Sequence, residues 1–144
     1  MKDLLAFLKS KFSEITSAHY EHFLKPELTL VEEGHVTLTM TVLPEHSNIG
    51  GFVHGGVFAG LADVAMALTC LSVHKQVVTT DMNISYIRNV GVGDEVIVHG
   101  YLLQAGRQLM RTRCEIYHHD TLLVSATGTF FITGSVSLHE KVKD

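Results

Sequence analysis

The sequence contains no tryptophan, only two prolines and two cysteines, and no block of basic residues. Cys70 and Cys114 lack CxxC spacing and suggest no disulfide framework, so we expect a reducing, cytoplasmic location. The 15 acidic side chains outnumber the 11 lysines and arginines, which gives a net charge of −4. A nucleic-acid-binding protein needs a positively charged surface, and we therefore expect no nucleic-acid partner.

Signal-peptide and membrane-spanning features are also weak. The first residues, MKDLLAFLKSKFSEI, carry charges every few positions and lack the uninterrupted apolar core of a signal peptide. Residues 53–73 form an apolar stretch that is long enough to cross a bilayer, but Asp63 lies at its centre. Inserting that carboxylate would cost roughly 2.5–3.5 kcal/mol, so we expect a helix buried inside a folded domain and no membrane partner.

The composition is that of one folded domain. The chain has 144 residues, of which 46% are hydrophobic, and it shows no repeat or linker, so we assign residues 1–144 to a single domain. An amphipathic helix is expected over about residues 3–24, before Pro26. Its apolar positions fall roughly on one stripe: Leu4, Leu5, Leu8, Phe12, Ile15 and Phe23.

Alternating patterns predict strands in the rest of the chain. Apolar residues alternate with threonines over residues 36–42, which is typical of a half-buried strand. An apolar helix is expected from about His54 to about Ser72, and further strands at 77–87, 95–104, 108–118 and 122–132. Short links favour an antiparallel meander of the last four strands. The fold class is therefore α+β, and a single sheet would leave part of the apolar helix uncovered, which argues for a partner subunit.

The candidate chemistry lies in residues 48–63, NIGGFVHGGVFAGLAD. Gly55 and Gly56 open the apolar helix, where glycine costs about 1 kcal/mol of helix propensity relative to alanine. One interpretation is a glycine turn or close packing of the helix on the sheet. The other is that the N–H groups of the first turn face a ligand oxygen at the positive end of the helix dipole and stabilise an oxyanion.

Asp63 is the second candidate. A lone carboxylate among apolar neighbours is held by a hydrogen bond, faces a solvated groove, or is a catalytic group. Gly56 and Asp63 are seven residues apart, so they share a helix face but are separated by roughly 10 Å along the axis. Catalytic groups must lie within about 3 Å of the reacting atoms. If both serve one reaction, the aspartate comes from a second, antiparallel helix, which predicts a two-fold dimer with two composite sites.

Two polar residues precede the glycines. His54 could cap the helix, lie in the core or contact a ligand, and we favour a structural or orienting role over general base catalysis. The amide of Asn48 both donates and accepts, so it could hold a water molecule or a carboxylate. An asparagine before glycines is also common as a turn residue.

The stretch NIGGFVHGGVFAGLADVAMA, with its spacing from Asn to His-Gly-Gly to Asp, resembles the signature of hotdog-fold acyl-CoA thioesterases of the phenylacetate-degradation (PaaI-like) type. TTDMNISYIRNVGVGDEV resembles the following strand and Gly-Asp turn of that family, and GRQLMRTRCEIYHHDTLLVSATGTF resembles its last two strands. The resemblance covers about residues 34–133. It implies a curved antiparallel β-sheet of five to six strands wrapped around a long central helix, in a homodimer or a dimer of dimers.

The resemblance also implies hydrolysis of a coenzyme A thioester to a free acid and CoA, with an aryl or a medium- to long-chain acyl group. By motif position, the Gly55 N–H would polarise the thioester carbonyl, and Asp63 of the other subunit would act as general base on water or as nucleophile. Asn48 would orient the water or the carboxylate, His54 would support the site, and Thr79 would place a hydroxyl near the aspartate. No metal or redox cofactor is implied.

A second group of residues is expected to contact the substrate. Gly56, the second glycine of the His-Gly-Gly motif, belongs to this group, and Phe58 and Met82 would line an acyl pocket if they are not part of the core. Arg88 and Arg107 lie at strand ends and would meet nucleotide phosphates if they are not simply solvated. The family often has a proline soon after Ser-Tyr-Ile; the residues that follow here are Arg-Asn-Val, so the shape of this loop is expected to differ.

Two other functions fit the same residues. A hotdog hydratase or dehydratase would use His54 and Asp63 as an acid–base pair. A non-catalytic protein of this fold would bind acyl-CoA and leave it intact.

Overall fold

A computed structural model describes residues 2–136 of the chain. The helices are α1 (Lys2–Phe12), α2 (Tyr20–Leu24) and α3 (Gly55–Leu71), with a short 3-10 helix at Pro44–His46. The strands are β1 (Glu27–Glu32), β2 (His35–Thr41), β3 (Lys75–Tyr86), β4 (Glu95–Ala105), β5 (Leu109–His118) and β6 (Thr121–Ser135). In this part of the chain no helix is both long and apolar enough to span a membrane.

The strands form one antiparallel sheet in the order β1-β2-β4-β5-β6-β3, and α3 packs against β2 to β6. Inward-facing side chains alternate along the strands, as in Val96 and Val98 of β4, and they meet the buried face of α3. Gly100 lets α3 approach β4 closely, because a Cβ at this position would lie 2.4 Å from Thr69 Oγ1 and 2.7 Å from the Ala65 carbonyl oxygen. The predicted fold class, a hotdog-type α+β sheet around a central helix, is confirmed.

The N-terminal helix expected over about residues 3–24 is two helices, so this prediction was wrong between residues 13 and 19. The Ser13 hydroxyl donates to the Ser10 carbonyl at 2.6 Å, and the Thr16 N–H donates to Nδ1 of His19 at 2.8 Å. Such local side-chain bonds offer the backbone an alternative to helical hydrogen bonds. They end α1 and turn the chain before α2.

The prediction of a four-strand meander was correct for β4, β5 and β6 and wrong for β3. β3 lies at the far edge of the sheet and pairs with β6. Three strand spacings separate β3 from β4, about 14 Å, and the eight residues of the link can span about 27 Å when extended. The link is held beside the loop before α3, since the Val53 N–H donates to the Val90 carbonyl and the Val42 N–H to the Asp94 carbonyl.

Strand β1 was not predicted from the sequence, because no alternating pattern marked it and the family resemblance started only at about residue 34. Its register with β2 shifts between Leu28 and Leu30, so a bulge interrupts the alternation. As a result Leu28 and Val31, three positions apart, are both buried. A period of two therefore does not describe this strand.

A polar and aromatic cluster lies on the outer face of the sheet. The rings of His35 and His99 stack with centroids 5.6 Å apart, and His35 stacks on Tyr101 at 4.5 Å. The Arg113 guanidinium lies 3.9 Å from the centre of the Tyr101 ring and pairs with Glu115. Burial, and then the neighbouring His35, hold the pKa of His99 below its usual value, while Glu115 opposes that shift.

Candidate active site

The first turn of α3 leaves one backbone N–H unused. His54 has extended backbone angles, and its Nδ1 accepts the Gly56 N–H at 2.8 Å. Its carbonyl oxygen accepts from the N–H groups of Val57 and Phe58 at 2.9 and 3.4 Å. The Gly55 N–H makes no hydrogen bond within residues 2–136. His54 therefore has the geometry of a helix cap, the Gly56 N–H is engaged by it, and Gly55 presents a free donor at the positive end of the helix.

Two tyrosines hold the same turn from outside the motif. The Tyr86 hydroxyl, at the end of β3, donates to the Gly55 carbonyl at 3.0 Å, and the Tyr20 hydroxyl, from α2, donates to the Gly56 carbonyl at 3.4 Å. The Tyr86 ring would lie 3.5 Å from a Cβ at position 55, so it also covers that glycine. Neither tyrosine was a sequence candidate, because the contacts span 31 and 36 residues of chain.

Asn48 organises the loop before α3. Its side-chain Oδ1 accepts the N–H groups of Gly50 and Phe52 at 2.9 and 3.1 Å, and its own N–H donates to the Phe52 carbonyl at 2.7 Å. Gly51 adopts a φ of 87°, in the left-handed region that glycine favours. Both acceptor positions of the amide oxygen are thus occupied. Asn48 is a turn residue whose exposed NH₂ group is left to donate to a ligand.

Asp63 lies half-buried on α3 and pairs with β3. The Thr79 hydroxyl donates to Oδ1 of Asp63 at 2.6 Å. The other carboxylate oxygen accepts no hydrogen bond from the described part of the chain. Asp63 also borders a cleft of about 320 Å³ between α3 and the segment that joins α1 to α2. Asp63 is therefore a carboxylate beside an open cleft, with one oxygen supported by a hydroxyl and one without a hydrogen bond in residues 2–136.

Within one chain, the free amide and the carboxylate do not meet. Gly55 and Asp63 are eight residues apart on a single helix, a rise of about 12 Å. The structure thus brings Thr79 to Asp63, and His54 to the glycines, as two separate groups. Among residues 2–136, strand β3, which carries Thr79, pairs only with β6 and leaves its other edge free.

The candidates for substrate contacts lie in different environments. Phe58 is 1% exposed and belongs to the core, so it does not line an open acyl pocket in this chain. Met82 is partly buried against the core. Arg88 is exposed two residues after the end of β3, and Arg107 borders an open cleft of about 510 Å³ at the turn between β4 and β5, beside Arg111. In residues 2–136 no three His, Cys, Asp or Glu side chains are grouped to hold a metal ion.

Comparison with known proteins indicates the protein family to which this chain belongs. Residues 50–125 match the model of the thioesterase superfamily. The chain is 30% identical over 132 residues to human acyl-coenzyme A thioesterase 13, covering 89% of this chain and 94% of that protein. It is similar in structure to a hypothetical thioesterase from Streptococcus pneumoniae solved with coenzyme A, with a TM-score of 0.76, 27% identity, and 78% and 91% of the two chains covered.

Two further structures of the pneumococcal protein are of single variants. In one an aspartate is replaced by alanine, and in the other a threonine is replaced by alanine; the two substituted positions are sixteen residues apart in that chain. The E. coli PaaI protein from the phenylacetic acid degradation operon has the same fold, with a TM-score of 0.84 over 94% of this chain and 96% of its own, at 21% identity.

Proposed function

Because this chain belongs to the thioesterase superfamily and is a thioester hydrolase, we propose that it hydrolyses acyl-CoA thioesters, to a free acid and coenzyme A, in sites shared between two subunits. The name of the human relative and the coenzyme A bound to the pneumococcal one support this substrate class. The observation that carries the proposal is that α3 presents both a free amide, at Gly55, and a hydroxyl-supported carboxylate, at Asp63.

Each group has a role in thioester hydrolysis. The Gly55 N–H donates to the carbonyl oxygen and stabilises the negative charge that develops there as the tetrahedral intermediate forms. Asp63 takes a proton from the attacking water, or attacks the carbonyl carbon itself. Collapse of the intermediate breaks the carbon–sulfur bond, and the departing thiolate takes the proton that Asp63 removed from water. If Asp63 attacks directly, the mixed anhydride formed on its carboxylate is then hydrolysed by water, which frees the acid and supplies the proton for the thiolate. Thr79 fixes the carboxylate, and the NH₂ group of Asn48 donates to the water or the carboxylate.

The separation of about 12 Å along α3 requires that the two groups come from different chains. An antiparallel dimer would bring Gly55 of one subunit to Asp63 of the other. The free edge of β3 supports this arrangement. Val78 and Tyr86 on this strand are 54% and 52% exposed, and an uncovered edge of twelve residues offers backbone groups for pairing with a second copy.

The pneumococcal variants support the pairing of Asp63 with Thr79. Their aspartate and threonine are sixteen positions apart, as Asp63 and Thr79 are here.

At the other end of the substrate, we assign the nucleotide phosphates to Arg107 and Arg88. Arg107 is the stronger candidate, because Arg111 lines the same cleft and adds a second positive charge.

The direct test is replacement of Asp63 by asparagine, which keeps the shape and removes the basic oxygen. General base catalysis contributes about 10²- to 10⁴-fold, so kcat should fall by at least about a hundredfold while the fold and the oligomeric state are kept. Asp120→Asn, in the exposed turn between β5 and β6, is the matched control and should be unchanged. Near-normal turnover by the Asp63 variant would refute the mechanism.

The assay is release of free thiol from a saturated acyl-CoA. Both cysteines are buried, and burial raises the pKa of the Cys70 and Cys114 thiols to about 12, so the folded protein should add no signal of its own. The same measurement separates the alternatives. A hydratase or dehydratase and a non-catalytic binding protein would each release no thiol from a saturated substrate.

A further inference from the structure

The cleft beside Asp63 is lined by five apolar side chains and five polar or charged ones, and the apolar side chains lie on both of its sides. On one side lie Val64, Ala67 and Leu68 of α3; on the other lie Phe12 and Ile15, at and just after the end of α1. Its volume of about 320 Å³ falls at the lower end of the range of small-molecule sites, roughly 300–1,000 Å³. The cleft is therefore large enough for part of a substrate, and its apolar side chains offer a contact surface for hydrocarbon.

Asp63 fixes which part of the substrate would enter. A carboxylate that acts on a thioester lies within about 3 Å of the reacting atoms, so the acyl chain begins beside it. From Asp63 the apolar positions continue to Leu68 along α3, a rise of about 7 Å. The cleft thus runs away from the reacting atom along the helix axis, as a hydrocarbon chain attached there would.

The side of the cleft that carries Phe12 and Ile15, here called the outer wall, is held in place by hydrogen bonds within its own segment. Besides the bond from Thr16 to the His19 ring, the His19 N–H donates to the Thr16 carbonyl at 2.9 Å and the Ile15 N–H donates to the Phe12 carbonyl at 3.1 Å. These bonds close compact turns on both sides of Ile15. The break between α1 and α2 therefore gives the cleft a defined wall.

We propose that this cleft receives the aliphatic chain of the acyl group, and that Phe12 and Ile15 set the chain length that the protein accepts. The proposal rests on the proposed function, since it takes Asp63 as the group beside the reacting carbonyl. The charged side chains Lys11, Glu14 and Glu21 also line the cleft; their alkyl parts can cover the hydrocarbon while their charged groups stay in water.

The test changes the size of the wall at Ile15. Ile15→Trp should fill the cleft and Ile15→Ala should widen it, and Leu103→Phe, at an exposed position on β4, is the control. Each buried methylene is worth roughly fourfold in binding. We therefore expect Ile15→Trp to lower kcat/KM for dodecanoyl-CoA by about tenfold or more and to leave acetyl-CoA within about twofold. Ile15→Ala should move the optimum to longer chains.

A second measurement keeps the two proposals apart. Calorimetry with the thioether analogues S-dodecyl-CoA and S-methyl-CoA reports chain binding without hydrolysis. Loss of the dodecyl preference in Ile15→Trp supports the cleft assignment even if the wild-type protein cleaves no thioester, which would refute the proposed function alone. An equal effect on both analogues, or no effect on either, would overturn the inference. So would a changed dimerisation constant with an unchanged chain-length profile, which would mean that a second copy fills the cleft.

Discussion

The contact between Thr79 and Asp63 makes a quantitative prediction. The oxygen–oxygen distance is 2.6 Å, within the range of about 2.5–2.7 Å for a hydroxyl bound to a carboxylate. Hydrogen bonds to charged groups contribute about 1.5–3 kcal/mol. If the bond holds Asp63 in its reacting position, Thr79→Val should lower kcat by roughly 10- to 150-fold. Because Thr79 is exposed in the single chain, we expect a value near the lower limit.

Comparing Thr79→Val with Thr79→Ser separates the loss of the hydrogen bond to Asp63 from a change in side-chain packing. Valine has the shape of threonine without the hydroxyl, and serine keeps the hydroxyl without the methyl group. Steady-state thiol release should show a reduced kcat and little change in KM for Thr79→Val, with Thr79→Ser within about threefold of wild type. The reasoning would be refuted by full activity in Thr79→Val, by equal losses in both variants, or by a matching loss in the free energy of unfolding.

Two further predictions concern the fold. Gly100→Ala should lower the free energy of unfolding by about 1–3 kcal/mol, because its Cβ would meet Thr69 and the backbone of α3. Gly134→Ala, with only an ordinary 3.5 Å contact, is the control in the same urea titration, and equal losses would contradict the close approach. Since the pKa of His99 is below its unfolded value of about 6.5, the unfolded state binds the extra proton, so stability should fall as the pH drops through 6.5 towards the folded pKa. Replacing His99 by Gln should flatten that slope, and an unchanged slope would assign it to other groups.

Local patterns were enough to predict α3 and the strands from β2 to β6. The apolar run after residue 54 is rich in good helix formers, and the strands alternate with a period of two. The position of β3 beside β6 could not be predicted in this way, because it depends on pairing between distant segments. The break at Ser13 depends on which of several serines and threonines bond to nearby backbone groups, a choice that the hydrophobic stripe does not record.

In the candidate site too, roles that depend on neighbouring residues could be predicted from the sequence, and contacts between distant segments could not. The roles considered for His54 and Gly55 follow from their positions at a helix start, and the structure places them there as a cap and a free donor. Tyr20 and Tyr86, which hold that turn, were missed because only the folded chain brings them to it. Asn48 was weighed as a turn residue and as a ligand contact, and its amide oxygen is committed to the turn.

The central claim is that each active site combines Gly55 of one subunit with Asp63 of the other. Gly55→Pro removes the free N–H at the first helical position, where proline is tolerated, and the extended His54 backbone, with a ψ of 135°, accepts a following proline. The second variant is Asp63→Ala, and each alone should be inactive.

After subunit exchange in an equal mixture of these two variants, half of the dimers should be mixed, each with one intact site, which restores about one quarter of the wild-type activity. No recovery, with exchange confirmed by mass, would contradict the shared site.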